Sequence, residues 1–283
     1  MIVLYSHSRS WLTDADRLLW VILHKMLRLS ILALTGFVCA GVGPVLAQEE
    51  SSRVSQLRVL SSNGVKAVLE QQLAEIERTI GRSIVVEFST ASSLARGIEA
   101  GEIFDVAILT PALIDTLEVQ GKIAAESRTT FARTGAGVGA RVGEVNTDVS
   151  TLDGFRRTLL NARSVTFTEG GQSRRIIDAA FERLEITAAM QAKTLIVGPG
   201  QGPTAVTAGE AELVLTLISE ILPVPGLELL GPFPAAVQGY ISFAAGINPE
   251  ANDTEAARAF VRQLTGPLVI AALRARGMEP IGQ

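Results

Sequence analysis

The sequence predicts an α/β protein of two lobes, in which each lobe has a mostly parallel sheet flanked by helices. Strand-like and helical segments alternate between residues 57 and 120, and such alternation is typical of parallel sheets. An extended glycine-rich passage, residues 129–142, has no helical stripe, and a second alternation follows it. We interpret this passage as the crossing between lobes, with lobe I at residues 48–128 and 232–283 and lobe II at residues 129–231.

Strand-helix units make up the predicted lobe I. In the first unit, a strand at residues 57–60 precedes apolar residues at helical spacing that continue to Gly81. The elements that follow are strands at residues 83–90 and 104–110 and helices at residues 92–100 and 111–120.

Shorter elements of the same kind make up the predicted lobe II. They are helices at residues 152–162 and 172–184 and strands at residues 164–168, 194–197 and 213–217. Four prolines between residues 223 and 234 mark the return to lobe I. There Asp253 or Thr254 can cap a helix, and a last helix is predicted at residues 268–276.

The first 47 residues have the pattern of a secretory signal peptide. Lys25 and Arg28 precede an apolar run at residues 29–46, and the small residue Ala47 stands at the expected cleavage position. A membrane span is the alternative, because about 18 apolar residues can just cross a bilayer, but several glycines and a proline break this run. We expect export to the periplasm, with Met26 as an alternative start of translation.

Cleavage after Ala47 removes the most reactive residue types. The only cysteine, Cys39, and the only histidines, His7 and His24, all precede the cut. The mature chain then lacks disulfides, thiol nucleophiles, histidine bases and His/Cys zinc sites, so we expect no metal and no cofactor. Cys39 could instead carry a lipid, although residues 36–38 form a poor lipobox.

The charge of the chain excludes a nucleic-acid partner. The net charge of −4 becomes about −6 when the leader, with four basic and two acidic residues, is removed. The sequence has no basic stripe that could follow a phosphate backbone.

Residues 86–111 carry the most specific pattern in the chain and read VEFSTASSLARGIEAGEIFDVAILTP. A strand is followed by the hydroxyl pair Ser92-Ser93, by a helix that contains Leu94-Ala95-Arg96 and ends at Glu99-Ala100-Gly101, and by a strand that Asp105 leads. In these features the chain resembles the periplasmic molybdate-binding proteins, within the type 2 periplasmic binding proteins. A looser likeness covers most of residues 57–280.

The resemblance implies a two-lobed type 2 periplasmic-binding-protein fold with a hinge of crossing strands. It implies an anion held in the cleft by backbone N–H groups and hydroxyls at helix N-termini. Helix N-termini attract anions independently of the resemblance, because they present unpaired N–H donors and a partial positive charge. The expected function is capture of a small anion for an ABC importer, by a monomer whose partner is the ABC permease.

The resemblance places the ligand on four turns of this chain. The expected ligand-binding residues are Ser62, Asn63, Gly64, Thr90, Ser92, Ser93, Gly171, Ser173 and Gly200. Gly64 stands where molybdate binders have a serine, and the tyrosine of some molybdate binders is absent near Thr216 and Leu217. The ligand is therefore either a molybdate-like oxyanion or a small organic carboxylate.

Arg174 is a further candidate ligand residue, for a reason that does not depend on the resemblance. A guanidinium at a helix start beside a cleft matches a carboxylate or phosphate-like group bidentately. Adjacent helical residues point about 100° apart, so at most one of Arg174 and Arg175 faces the ligand. A solvated helix face is the alternative, just as Ser92 and Ser93 can be plain N-caps. Tyr240 is predicted to be a packing residue on the return strand.

Two other classes of function stay open from the sequence. An exported enzyme, a hydrolase or transferase, could use the same scaffold, but no Gly-x-Ser-x-Gly elbow, metal-ligand cluster or cysteine pair follows Ala47. A ligand-sensing receptor subunit is also compatible with the sequence.

Overall fold

The structure is a computed structural model that describes residues 56–145 and 147–282. The predicted signal peptide, with Met26 and Cys39, lies outside the described residues. Within the described ranges, no helix is both long and apolar enough to cross a membrane.

Strand-helix units build the first part of the fold, as predicted. They are β1 (Gln56–Ser62), a 3-10 turn (Asn63–Val65), α1 (Lys66–Ile80), β2 (Ser83–Ser89), α2 (Ala91–Glu99), β3 (Val106–Leu109) and α3 (Pro111–Val119). Gly81 ends α1 in the left-handed conformation, with φ 65°, which glycine adopts without steric cost. The Thr90 hydroxyl accepts from the Ser93 amide, so Thr90, rather than Ser92 or Ser93, caps α2.

The glycine-rich passage forms one continuous strand, β4 (Thr129–Arg141). It is followed by α4 (Leu152–Asn161), β5 (Val165–Thr168), α5 (Arg174–Arg183), α6 (Thr187–Gln191), β6 (Thr194–Val197), α7 (Gly202–Thr207), β7 (Leu213–Leu217), α8 (Ile218–Ile221) and β8 (Leu227–Pro232). The sequence does not predict α6, α8 or β8, because segments this short carry too few apolar residues for a period to emerge.

The chain ends with β9 (Tyr240–Ile247), α9 (Thr254–Leu264), α10 (Pro267–Ala275) and β10 (Met278–Pro280). The Asp253 carboxylate accepts from the Ala256 amide at 2.9 Å, which confirms the predicted cap of α9.

The packing role predicted for Tyr240 is wrong. Its side chain is 51% exposed, and its ring centroid lies 4.8 Å from the guanidinium carbon of Arg133.

Two sheet regions share strand β4, and each combines parallel strand pairings with antiparallel ones. The first has the strand order β2-β1-β3-β9-β4, with β1 parallel to β2 and β3. The second has the order β4-β7-β5-β6, with β5 parallel to β6 and β7. The first half of β4 pairs with β9 and the second half with β7 and β8. This arrangement confirms the predicted two-lobed α/β fold with a crossing strand.

Glycines on one face of β4 allow helix α8 to pack directly against the strand. A Cβ atom at Gly137 would lie 2.9 Å from Ile218 Cγ1, and one at Gly139 would lie 3.0 Å from Ile221 Cγ2. Larger residues would push α8 outward, because protein interiors have almost no free space. Small residues on β4 therefore fix the position of α8.

Separate apolar cores stabilise the two lobes. Phe131 belongs to the core that α1, α9 and α10 cover, whereas Phe233 and Val237 belong to the core of the other lobe. The lobe boundaries after residues 128 and 231 stay a prediction.

The buried carboxylate of Asp105 links β1 to the loop before α9. Asp105 is 2% exposed. Its Oδ2 accepts from the Arg58 amide at 2.7 Å, and its Oδ1 accepts from the Asn252 amide at 3.0 Å. Hydrogen bonds to a carboxylate are stronger than those to a neutral acceptor, so the two bonds of Asp105 contribute more to the stability of the lobe than two neutral hydrogen bonds would.

We expect Asp105→Ala to lower the free energy of unfolding by about 2–4 kcal/mol, because two backbone amides lose a buried carboxylate acceptor and the side chain leaves a cavity. Urea denaturation followed by circular dichroism measures this change. Asp115→Ala, which removes an exposed partner of Arg128, is the control and should cost less than about 1 kcal/mol. Equal losses in the two variants would contradict the assignment.

Candidate functional site

A cleft lies where the carboxyl ends of β1, β2, β5, β6 and β7 continue into turns and helices. Its inner cavity, of about 30 Å³, is lined by Ser62, Asn63, Thr90, Ala91, Thr168, Gly171, Gln172, Ser173, Gly200, Thr216, Leu217 and Glu220. An outer cavity of about 420 Å³ is lined by Asn63, Lys66, Ala67, Glu70, Phe88, Thr168, Pro199, Gly200, Gln201, Pro203, Thr204, Ser219, Glu220, Pro223, Val224 and Pro225. The two cavities share four lining residues, and this edge of an α/β sheet is where ligands bind.

Two helices of nine or more residues begin at the inner cavity, and the 3-10 turn that leads into a third also begins there. Helix α1 follows Ser62 and Asn63 through the 3-10 turn, α2 follows Thr90, and α5 follows Ser173. The first amides of a helix have no acceptor within the helix and carry a partial positive charge. The inner cavity therefore offers hydrogen-bond donors to a negatively charged group.

Hydrogen bonds join the lobes beside the cavity. The Ser92 hydroxyl donates to the Gly170 carbonyl at 3.2 Å, and the Ser219 hydroxyl donates to the Gly64 carbonyl at 2.7 Å. Each pair connects residues more than 75 positions apart in the chain. The lobes are thus in contact around the inner cavity.

The side-chain amide of Gln172 lacks protein partners. Its Oε1 and Nε2 atoms are buried and make no hydrogen bond within the part of the chain that the structure describes. A buried amide without partners costs free energy, which a bound molecule with a matching polar atom can recover. Gln172 lines the inner cavity, so a ligand oxygen there could accept from Nε2.

Glu220 brings a carboxyl group to both cavities. Its Oε2 accepts from the Thr216 hydroxyl, and Thr216 itself is buried at the end of β7. Burial raises the pKa of the Glu220 carboxyl above its usual range. Hydrogen bonds from Thr216 and the Leu217 amide lower the pKa, but burial has the larger effect.

Lys66 provides a positive charge at the outer cavity. Its Nζ lies 3.7 Å from Glu70 Oε1 and 5.6 Å from the ring centroid of Phe88. Among the residues described, no group of three or more His, Cys, Asp or Glu side chains could hold a metal ion. The polar groups that line this cleft are hydroxyls, amides, the Lys66 ammonium group and the carboxyl groups of Glu70 and Glu220.

Close packing explains why a glycine occupies position 64. A Cβ atom there would lie 2.4 Å from Phe243 Cζ and 3.0 Å from Leu217 Cδ1, both well inside contact distance. The Gly64 carbonyl already accepts from Ser219, and Gly64 does not line the inner cavity. A serine at this position has no space in the present packing.

Arg174 pairs with its own helix instead of lining a cavity. Its Nε lies 2.7 Å from Asp178 Oδ1, and its Cζ lies 4.9 Å from the ring centroid of Phe167. Arg175 is exposed. Neither arginine is among the described residues that line the inner or the outer cavity.

The structure brings most of the predicted site residues together. Those that line the inner cavity are Ser62, Asn63, Thr90, Gly171, Ser173 and Gly200. Those that do not line it are Gly64, Ser92, Ser93 and Arg174, although the Ser92 hydroxyl and the Ser93 amide make the contacts described above. The ligand-binding role of all ten residues stays a prediction.

Sequence reasoning misses Thr168 and Glu220. Thr168 carries no recognisable signal, since it is one of several threonines in strands. Glu220 does carry one, because it is the only charged residue in the mostly apolar stretch 213–222. A charge inside an apolar run needs a partner, a cavity or a function.

Two α/β lobes, a shared crossing strand and a polar cleft at the strand ends are the features of the type 2 periplasmic-binding-protein fold. The family model for the bacterial extracellular solute-binding protein matches residues 57–279, so the chain belongs to that family. This result confirms the family resemblance seen in residues 86–111.

Solved structures of binding proteins share the fold. The periplasmic molybdate-binding protein of Azotobacter vinelandii has a TM-score of 0.66 and 18% identity, with coverage of 80% of this chain and 100% of that one. The sulfate-binding protein SubI of Mycobacterium tuberculosis H37Rv has a TM-score of 0.61 and 14% identity, with coverage of 80% and 87%.

By sequence, the chain is similar to a protein named aconitate isomerase from a Pseudomonas species. The two are 25% identical over 259 residues, which cover 90% of this chain and 97% of the relative. The similarity thus extends over both lobes.

We expect Gly64→Ser to lower the free energy of unfolding by about 1–3 kcal/mol, because the new side chain overlaps Phe243 and Leu217. Urea denaturation measures the loss. Ala112→Ser, on an exposed position of α3, is the control and should change stability by less than about 0.5 kcal/mol. A Gly64→Ser variant as stable as the parent would contradict the packing argument.

Proposed function

We propose that this protein captures a small organic carboxylate in the cleft and delivers it to an ABC permease. The observation that carries the proposal is the shape of the cleft. A polar inner cavity opens toward an outer cavity of about 420 Å³ that contains Lys66. This volume lies in the range of about 300–1,000 Å³ that suits organic ligands, and a tetrahedral oxyanion would fill little of it.

The two cavities suit different parts of such a ligand. One carboxylate can accept from the helix N-termini and from Gln172 in the inner cavity. The remainder of the ligand can occupy the outer cavity, where Lys66 attracts a second carboxylate. The name of the Pseudomonas relative refers to a small carboxylate, which supports this choice over an oxyanion.

The packing around Gly64 also supports an organic ligand. The resemblance to molybdate binders implies a serine hydroxyl at this position and a tyrosine near Leu217. In this chain, Phe243 and Leu217 occupy the space that a serine side chain would need. Two hydroxyl donors for a tetrahedral anion are therefore missing. The remaining donors are spread along the cleft, as an elongated anion requires.

Delivery follows from lobe closure. Contacts that form only when both lobes engage the ligand shift the population toward the closed form, which then docks on the permease. The Ser92–Gly170 hydrogen bond is one interaction between the lobes that such closure would preserve.

The predicted binding role of Arg174 requires a rearrangement. Its guanidinium must leave Asp178 and Phe167 before it can reach the cleft. If Arg174 binds the ligand, Arg174→Ala lowers the affinity measured by calorimetry. Unchanged affinity would contradict the role.

We expect small di- and tricarboxylates, rather than oxyanions, to stabilise the mature chain in a thermal-shift screen. A ligand at 100 times its dissociation constant stabilises the fold by about 2.7 kcal/mol. The screen compares citrate and aconitate with molybdate, tungstate, sulfate and phosphate, and calorimetry then gives the dissociation constants. Stabilisation by an oxyanion alone would contradict the proposal.

We expect Lys66→Met to weaken binding of the selected carboxylate about tenfold, or about 1.4 kcal/mol, because the outer cavity loses its ammonium group. Methionine keeps the apolar stem, so the fold should be unaffected. Lys122→Met removes a lysine that lies outside both cavities and should leave the affinity unchanged. Equal effects of the two substitutions would contradict a role for Lys66.

A second candidate function is isomerisation of an unsaturated carboxylate, which the Pseudomonas relative favours. Moving a double bond between neighbouring carbons removes a proton from one carbon and returns a proton to another. A carboxylate in the cleft, such as Glu220, could serve as the base. Incubation with cis- and trans-aconitate, followed by chromatography, separates the functions, because a binding protein leaves both unchanged.

A further inference from the structure

The environment of Glu220 is unusual for a site that binds an anion. Glu220 lines both cavities, so its carboxyl group lies beside any ligand that spans them. None of the ion pairs among the described residues includes Glu220. An ionised carboxylate without a cation would repel an anion in the same small space.

We propose that Glu220 binds the ligand as a neutral carboxylic acid, which donates a hydrogen bond to a carboxylate oxygen of the anion, so that capture is coupled to uptake of a proton. The proposal rests on the proposed function, since it needs an anionic ligand in the inner cavity. The proton comes from solvent and is released when the ligand leaves.

Burial favours the neutral form of Glu220 more than its hydrogen bonds favour the ionised form, and the bond from Thr216 occupies only one of the two carboxyl oxygens. Thr216 donates its hydroxyl to Oε2, so the proton of the neutral acid lies on Oε1. A short bond between an acid proton and a carboxylate oxygen is among the stronger hydrogen bonds in proteins. Gln172 can donate from Nε2 to the same carboxylate, because its amide has no partner among the described residues.

The surrounding charges do not offset an ionised Glu220. Helix α8 packs against β4, β7, β8, the 3-10 turn and α1. On α1, Lys66 and Glu70 face the outer cavity and lie within 3.7 Å of each other. The charged residues of β4 are Arg133, bound to Glu279, and Arg141, bound to Glu144. On β8, the Glu228 carboxylate accepts from the Gly143 amide; β7 and the 3-10 turn have no charged residue.

The pH dependence follows from the sign of the shift. Burial raises the pKa of Glu220 in the folded protein above its value in the unfolded chain. The stability that the neutral acid contributes is therefore complete below the unfolded pKa and is lost as the pH rises through the folded pKa. A bound anion raises this pKa further, so affinity falls by up to about tenfold per pH unit above the pKa of the free protein.

Calorimetry of the mature chain with trans-aconitate at pH 7, 7.5 and 8 tests the proposal, because the last carboxyl group of a tricarboxylate titrates above an ordinary carboxyl group and is mostly ionised only from about pH 7 upward. We expect affinity to fall with rising pH, and titrations in HEPES and Tris to reveal proton uptake. In Glu220→Gln, whose amide can donate in place of the acid, the pH slope and the proton uptake should disappear. Glu70→Gln, which removes the other carboxyl group of the outer cavity, should retain both.

The outcomes separate the two proposals. Binding without proton uptake, or a slope that persists in Glu220→Gln, overturns the role of Glu220 and leaves carboxylate capture intact. Failure of trans-aconitate and citrate to bind at any of the three pH values overturns carboxylate capture, and the Glu220 role with it. If Glu220→Gln does not fold, the proton uptake of the parent protein in the two buffers decides.

Discussion

The packing of helix α8 on the glycine face of β4 is the contact on which the site depends. Helix α8 follows β7 directly, and its residues contact elements of both lobes. Gly137 and Gly139 allow this approach, which places Ser219 against the turn at Gly64 and Glu220 at both cavities. Larger side chains on β4 would move α8 away from the strand and so separate the lobes beside the inner cavity.

The cleft offers an anion mainly neutral groups. Amides at helix N-termini, hydroxyls and the Gln172 side chain supply partial charges, and Lys66 alone adds a full positive charge to the described lining. Partial charges hold an anion less tightly than an arginine fork does. A weaker hold would suit the capture and release proposed above, and a neutral Glu220 would make release depend on a proton.

Packing explains one of the two departures from molybdate binders that the sequence presents, the glycine at position 64. Leu217 and Phe243 lie against Gly64, so the large apolar side chains leave no space for a serine. The sequence places these three residues 179 positions apart at the extremes and gives no sign of their contact. This packing keeps the backbone groups of the turn and leaves no space for a serine hydroxyl.

The sequence by itself determined the alternation of strands and helices, the crossing strand and the Asp253 cap, because these depend on neighbours a few residues apart. The resemblance to molybdate-binding proteins indicated the turns whose residues line the inner cavity, and ligand sites at the strand ends of α/β sheets agree with that placement. Only the tertiary structure decided that Arg174 pairs with Asp178, that Ser92 meets Gly170, and that Glu220 enters the cleft. Side-chain partners depend on rotamers and on packing between distant segments, which local periodicity does not encode.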